Sequence, residues 1–177
     1  MRNLGTYYES LAYEYSLPQA IKDGYLCKIM AQTIPLTIDI SGVGMSAGDY
    51  KAGELGSALD PYLSQIAKEM LTYCADRKTV VFLPLVKTSQ KFCDILNEAG
   101  FHAAEVNGNS DDRAEILQDF DEGKYNVLCN SMLLTEGWDA RVSTVLSSCG
   151  QRKAAACTAR WSAGARGSFQ ERITYCY

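Results

Sequence analysis

The sequence NVLCNSMLLTEGWD (126–139) and the preceding RAEILQDFDEGKY (113–125) decide the fold of this 177-residue chain. YNVLCN (125–130) is an apolar run of the length of a buried strand, and a loop of small and polar residues follows it. The segment before it is typical of a helix that ends near Phe120. A helix that leads directly into a buried strand indicates an α/β architecture.

The preceding segments extend this alternation of helices and strands. Asp60 and Pro61 supply an N-cap and an early proline for a predicted helix, and Ser110 is predicted to cap the helix that ends near Phe120. Strands and helices alternating at these lengths predict a parallel sheet with right-handed crossovers. The predicted elements between these two helices are a strand in TVVFLPL (79–85), a helix in SQKFCDILNEAG (89–100) and a strand in FHAAEV (101–106).

The N-terminal part of the chain carries weaker signals. Residues 1–28 are predicted to form short helical pieces, with Pro18 near a helix start, and residues 29–40 to form a strand. A glycine-containing loop follows, but the phosphate-binding pattern GxxxxGK[ST] occurs nowhere in the sequence. Residues 1–56 are therefore predicted to be a helical and strand lead-in segment.

Composition favours a cytoplasmic globular protein. The chain is 47% hydrophobic and 21% charged, and it lacks both an apolar run of membrane-spanning length and a signal-peptide pattern. Its seven cysteines form no CxxC pair, so we expect reduced thiols and no metal site. Charge is unevenly distributed: residues 1–139 carry 11 basic and 20 acidic side chains, whereas residues 140–177 carry 6 and 1.

Two segments are predicted at the carboxyl ends of the strands, where open parallel sheets bind ligands. They are residues 84–89 and residues 130–139. Ser131 and Thr135 offer hydroxyl groups suited to a phosphate backbone, while Gly137 permits close approach and Asp139 offers a carboxylate. The second segment could equally be a simple connection between two elements.

Residues 78–139 resemble the C-terminal, RecA-like lobe of superfamily 2 DEAD/DEAH-box helicases, and residues 1–77 resemble the lead-in of phage and bacterial members. TVVFLPLVKTSQKF is similar to motif IV of that family and NSMLLTEGWD to motif V. The resemblance implies an α/β fold, with a RecA-like parallel sheet flanked by helices. It also implies ATP-driven translocation on DNA or RNA, with ATP and Mg²⁺ bound in the complete enzyme and an N-terminal helicase lobe as partner.

The same resemblance assigns roles to individual residues. Thr88, Ser131 and Thr135 would contact the nucleic-acid backbone, and Gly137 and Asp139 would couple it to nucleotide between the lobes.

Arg113 matches the arginine of a QxxR element in this family and would also contact nucleic acid, although Ser110 replaces the glutamine. Alternatively, Arg113 is a charge on the helix surface opposite Asp112 or Asp119.

Three motifs of the complete enzyme are missing from this sequence: the Walker A loop, the DExx carboxylates and the arginine-bearing motif VI, QxxGRxxR. An arginine finger contributes roughly 10³–10⁵ in rate. We therefore expect no catalytic residue in this chain, no tight binding of ATP or Mg²⁺ and no activity of the chain alone.

The residues after Asp139 suggest a change of reading frame. When the codons for ARWSAGARG (159–167) are regrouped one base earlier, they permit Gln-Met-Val-Gly-Arg-Gly-Thr-Arg, a complete motif VI. The predicted division is therefore a partial helicase lobe at 57–139, incomplete at its C-terminus, and an out-of-frame, poorly ordered tail at 140–177. If the frame is unbroken, the basic tail instead suggests a nucleic-acid-binding arm.

Two other classes of function stay open from the sequence. One is a non-enzymatic module that binds nucleic acid or a partner, including a separately encoded N-terminal lobe. The other is a lobe of a nucleotide-dependent transferase, because such α/β lobes are similar in outline.

Overall fold

A six-stranded sheet organises the protein. The computed structural model describes residues 9–10, 12–25, 28–33, 37–47, 49–131, 133–135, 144–147 and 171–176. In this part of the chain the strand order is β1-β8-β7-β4-β6-β5, and every neighbouring pair is parallel. The strands are β1 (Lys28–Thr33), β4 (Thr79–Phe82), β5 (Ala103–Val106), β6 (Val127–Asn130), β7 (Thr144–Ser147) and β8 (Glu171–Cys176), with β2 (Met45–Ser46) and β3 (Asp49–Tyr50) in a separate antiparallel pair.

Helices connect the strands, as parallel pairing requires. The α-helices are α1 (Leu17–Lys22), α2 (Ala52–Leu59), α3 (Leu63–Cys74), α4 (Val86–Glu98) and α5 (Arg113–Glu122). Short 3-10 helices span Asp60–Tyr62, between α2 and α3, and Leu133–Thr135, after β6.

Two apolar layers hold this framework together, one on each face of the sheet. Helices α2, α3 and α4 pack on one face, where Leu63, Ile66 and Phe92 are fully buried against Val81 of β4. Helix α5 packs on the other face through Phe120. The central strands β4 and β6 are buried at every position, as expected for parallel strands covered on both sides.

The structure confirms the predicted α/β class and the parallel sheet flanked by helices. The strands predicted at 79–85, 101–106 and 125–130 are β4, β5 and β6, each slightly shorter than expected. Pro18 lies in the first turn of α1, where Ser16 accepts a hydrogen bond from the backbone N–H of Gln19 at 3.3 Å.

Five local expectations were wrong. The described residues of 9–16 are not helical, and the strand predicted at 29–40 is only six residues long, with the non-donor Pro35 following it. Asp60 does not cap the predicted helix, because α3 follows the N-cap Tyr62 and Asp60 lies in the preceding 3-10 helix. In addition, helix α2 was not predicted, because its two glycines give it low helix propensity. Ser110 does not cap α5, since its hydroxyl instead accepts a hydrogen bond from the backbone N–H of Asn107 at 3.1 Å.

The structure describes the residues at the predicted boundary 56/57 but not those at the boundary 139/140. The boundary at 56/57 lies inside α2, whose Leu55 and Leu59 both belong to the core. Residues 140–177 contribute strands β7 and β8 to the sheet. The division into three segments stays a prediction.

Candidate nucleic-acid interface

The two segments predicted to carry function leave the sheet side by side. Phe82 at the end of β4 pairs with Asn130 at the end of β6, and the N–H of Leu83 donates to the carbonyl of Asn130 at 2.9 Å. The chain then passes into α4 on one side and into the 3-10 helix Leu133–Thr135 on the other. Their adjacency creates one surface at the carboxyl edge of the sheet, where ligands bind in folds of this kind.

Thr88 lies in the first turn of α4, and its side chain is only 4% exposed. Leu85 has extended backbone angles before the helix and offers no side-chain cap. The Thr88 hydroxyl faces Gly56 of α2, where an added Cβ would lie 3.0 Å from Oγ1. Thr88, which is predicted to contact nucleic acid, is thus recessed. The first N–H groups of its helix have no partner within the helix.

Asn130 fixes the turn that carries the second segment. Its fully buried side chain donates from Nδ2 to the carbonyl of Val81 at 3.0 Å and accepts at Oδ1 from the N–H of Leu134 at 3.3 Å. This amide therefore ties β4, β6 and the 3-10 helix together. Ser131, half-buried, follows it directly, and the backbone of Thr135 ends the 3-10 helix.

Arg113 begins α5 at the same edge of the sheet, after the turn that follows β5. Asn107 shapes this turn, because its Oδ1 accepts from the N–H of Asn109 at 2.8 Å. Arg113 is exposed and, among the described residues, forms no ion pair with Asp112 or Asp119. Its guanidinium group is therefore available to a ligand, as well as to solvent.

Gly137 and Asp139, the predicted nucleotide-coupling residues, lie outside the described residues. The structure thus brings the segments of Thr88 and Ser131 together at one edge, with Arg113 on the neighbouring connection.

A half-buried carboxylate lies behind α4. Burial raises the pKa of Glu105 on β5, and the hydrogen bond from Asn107 Nδ2 to its Oε2, 3.0 Å long, partly opposes that rise. The nearby Ser89 hydroxyl also lowers the pKa of Glu105. Ser89 Oγ and Glu105 Oε1 are nevertheless both buried without a hydrogen-bond partner. Ser89 is therefore close to the carboxylate without bonding to it.

Three of the cysteines belong to the buried core. Cys74, Cys93 and Cys129 are free and buried, and burial raises the pKa of Cys74 to about 11. The pKa of Cys129 is also raised well above its usual value, by the neighbouring Cys93 thiol and by burial. No group of three or more metal-ligating side chains occurs among the residues that the structure describes.

Sequence reasoning missed several residues at this edge. Gly56 was hidden in an unpredicted helix, and Asn130 was seen only as the end of an apolar strand. The pairing of Lys91 with Asp60, at 2.8 Å between Nζ and Oδ2, joins residues 31 positions apart and has no local signal. A lone asparagine closing an apolar strand was the one sequence clue available.

The helices of the described residues were compared with the length and apolarity that a membrane span requires. No helix in it is long and apolar enough to span a bilayer.

Comparison with known sequences identifies the family. Residues 63–159, more than half of the chain, match the family described as "Helicase conserved C-terminal domain". A 51.5 kDa protein of a Lactococcus phage (isolate 7-9) is 30% identical over 116 residues, which are 64% of this chain and 26% of the relative. A Schizosaccharomyces pombe protein named as a mitochondrial ATP-dependent helicase is 27% identical over 135 residues, 74% of this chain and 22% of the relative. The chain spans about a quarter of the length of these curated relatives.

Comparison with solved structures supports the fold. A fragment assigned as an HsdR subunit of a type I restriction enzyme from Vibrio vulnificus YJ016 superposes with a TM-score of 0.73 and 20% identity, over 99% of this chain and 36% of that one. At this identity the likeness concerns the fold alone. The family match over more than half of the chain shows that the chain belongs to the helicase C-terminal domain family, and the structural likeness supports its RecA-like fold.

Proposed function

We propose that this chain acts as the second lobe of an ATP-dependent nucleic-acid helicase or translocase and contacts the nucleic-acid backbone through the carboxyl edge of its sheet. The observation that carries the proposal is the adjacency of the two segments that follow β4 and β6, fixed by the Leu83–Asn130 hydrogen bond. Helicase family membership supplies the class of substrate.

Within this proposal, four side chains contact the strand. Thr88, Ser131 and Thr135 provide hydroxyl groups for phosphate oxygens, and Arg113 provides a charged donor. Contacts of this kind position a nucleic acid without reading its sequence, so DNA and RNA are both candidates. Residues 1–139 carry more acidic than basic side chains, so binding by the chain alone is expected to be weak.

ATP and Mg²⁺ belong to the proposed complete enzyme. The sequence has no phosphate loop and the described residues contain no group of three or more metal-ligating side chains, so these residues alone do not hold the metal. Gly137 and Asp139 are proposed to meet the nucleotide from one side when an N-terminal lobe closes on it. The chain alone is proposed to be inactive, and its location to be cytoplasmic.

ATP hydrolysis tests this assignment. The purified chain is expected to show no ATPase with or without single-stranded nucleic acid. A separately produced N-terminal lobe bearing a phosphate loop is expected to gain nucleic-acid-stimulated ATPase when the chain is added, and Asp139→Ala should abolish the gain. An ATPase of the chain alone that depends on Asp139 would contradict the inactivity, and a lobe that gains nothing would contradict the proposed partner.

The reading frame after Asp139 is a second, separate proposal. A base lost near that codon would leave residues 140–177 out of frame and motif VI unreadable. Sequencing the source DNA across codons 130–177 tests it. An extra base near codon 139 would support the proposal, because it would restore the frame that encodes motif VI. A DNA sequence without that base would exclude a sequencing error.

A further inference from the structure

Two buried thiols meet between α4 and the sheet. Cys93 lies on α4 and Cys129 on β6, and both belong to the same apolar cluster. Each thiol is free, and the two are hydrogen-bonded to one another. Cys129 is fully buried, whereas 7% of the surface of Cys93 is exposed. A small solute therefore reaches Cys93 before it reaches Cys129.

A fixed amide lies beside the Cys93 sulfur. Cys93 Sγ accepts a hydrogen bond from Nδ2 of Asn97 at 3.7 Å, from one helical turn further along α4. The Asn97 side chain is held in place by the backbone of Ala103 on β5. Its Nδ2 donates to the Ala103 carbonyl at 3.0 Å, and its Oδ1 accepts from the Ala103 N–H at 2.8 Å. Cys93 is thus positioned against the sheet by both Cys129 and Asn97.

The hydrogen bond between the thiols makes Cys93 the more reactive of the two. It lowers the pKa of Cys93, and Asn97 adds to the lowering, while burial and the carboxylates of Asp94 and Glu105 oppose it. The same bond, together with burial, raises the pKa of Cys129. Because the thiolate is the nucleophilic form of cysteine, Cys93 is the sulfur that reacts first with an oxidant. Cys129 is then the neighbouring thiol that bonds to it.

We propose that Cys93 and Cys129 are a reversible redox pair, which hydrogen peroxide converts into an internal disulfide that locks α4 onto β6. The inference goes beyond the proposed function and stands without it. The disulfide joins α4, which follows the segment after β4, to the strand that leads into Ser131. It also closes the stretch 93–129, which restricts the unfolded chain and stabilises the folded lobe.

The oxidation proceeds in two balanced steps. The Cys93 thiolate attacks one oxygen of hydrogen peroxide, the O–O bond breaks, and Cys93 becomes a sulfenic acid while hydroxide leaves. The Cys129 sulfur then attacks the Cys93 sulfur, the S–O bond breaks, and the leaving hydroxide takes the Cys129 proton as water. Overall the two thiols lose two electrons and two protons, and the peroxide is reduced to two waters.

Peptide mapping of the full chain by mass spectrometry tests the pair. Tryptic cleavage places Cys93 in the peptide 92–113 and Cys129 in the peptide 125–141, each without a second cysteine. After treatment with hydrogen peroxide these two peptides are expected to be cross-linked, and dithiothreitol should separate them. Cys74 is the internal control, because it is also buried but lies alone in the peptide 69–77 and is expected to stay a thiol.

Variants separate the roles of the two thiols. In Cys129→Ala the sulfenic acid on Cys93 is expected to persist and to react with dimedone. In Cys93→Ala the Cys129 thiol is expected to remain reduced. Cys74→Ala is the matched control and should form the same cross-link as the wild type. The wild-type peptide map decides the question even where a variant does not fold.

Urea denaturation tests the lock. Oxidation should raise the midpoint of the wild type by about 1 M or more, and it should leave the midpoint of Cys129→Ala without such a rise. The inference is overturned if Cys93 and Cys129 can still be alkylated in urea after peroxide treatment, or if either is cross-linked to a different cysteine. A cross-linked wild type whose midpoint does not rise would overturn the lock.

Discussion

Replacing Asn130 by alanine should be among the most destabilising polar substitutions in this lobe. Asn130 is fully buried and makes two hydrogen bonds, to the carbonyl of Val81 at 3.0 Å and from the N–H of Leu134 at 3.3 Å. Each bond contributes about 1 kcal/mol net, and a buried N–H left without a partner costs about 1–3 kcal/mol more. The expected loss in the free energy of unfolding is therefore about 3–5 kcal/mol.

Urea denaturation measures this loss directly. With a slope of about 1–3 kcal/mol per molar urea, the midpoint should fall by about 1 M or more. Asn130→Asp should be no better at neutral pH, because it keeps the acceptor for Leu134 but places an oxygen against the Val81 carbonyl. Asn126→Ala is the matched control: Asn126 is half-buried and accepts one bond from the N–H of His102 at 2.9 Å, so about 1 kcal/mol is expected.

A midpoint for Asn130→Ala within about 0.3 M of the wild type would refute the reasoning. A loss no larger than that of the Asn126→Ala control would do the same. Either result would mean that water or a shifted turn satisfies the groups that Asn130 now serves.

Three further predictions follow from packing and ionisation. Gly56→Ala should change stability by less than about 1 kcal/mol, because better helix propensity offsets the displacement of the Leu85 side chain; a larger loss in urea denaturation would contradict this. Burial raises the pKa of Glu105 in the folded state, so its contribution to stability is present below the unfolded pKa and lost as pH rises through the folded value. Glu105→Gln should therefore gain stability over the wild type at pH 8 but not at pH 4, and an equal difference at both pH values would disprove it. Cys74 and Cys129 should resist iodoacetamide at pH 8 until the protein unfolds, because both thiols are buried with raised pKa values; rapid native labelling in a mass spectrum would exclude that packing.

The α/β core was predictable because its signals are local. The apolar run at β4 and the run at β6 are long enough to be buried strands, and the helices between them carry apolar residues at helical spacing. Such patterns fix both the element type and the parallel pairing. That residues 84–89 and 130–135 share the carboxyl edge follows from the parallel topology, whereas their adjacency depends on the strand order, which the structure shows to place β6 beside β4.

What could not be predicted depends on contacts between distant parts of the chain. Helix α2 exists because Leu55 and Leu59 are buried by the core, although Gly53 and Gly56 disfavour a helix. The close approach of Gly56 to Thr88 needs α2 and α4 to meet. Ser110 was mistaken for a cap because a serine before a helix can bond either to the helix or back to the preceding turn, and here it bonds to the turn.

Residue-level mapping of nucleic-acid binding tests the central claim most directly. Backbone amide shifts of the full chain, titrated with single-stranded DNA and RNA oligonucleotides, also detect the weak binding expected of an acidic lobe. The account predicts shifts at Thr88, Arg113 and Ser131, on the carboxyl edge of the sheet, and none at His102 and Lys124, on the opposite edge. Shifts centred on the opposite edge, or no shifts with either oligonucleotide, would contradict it.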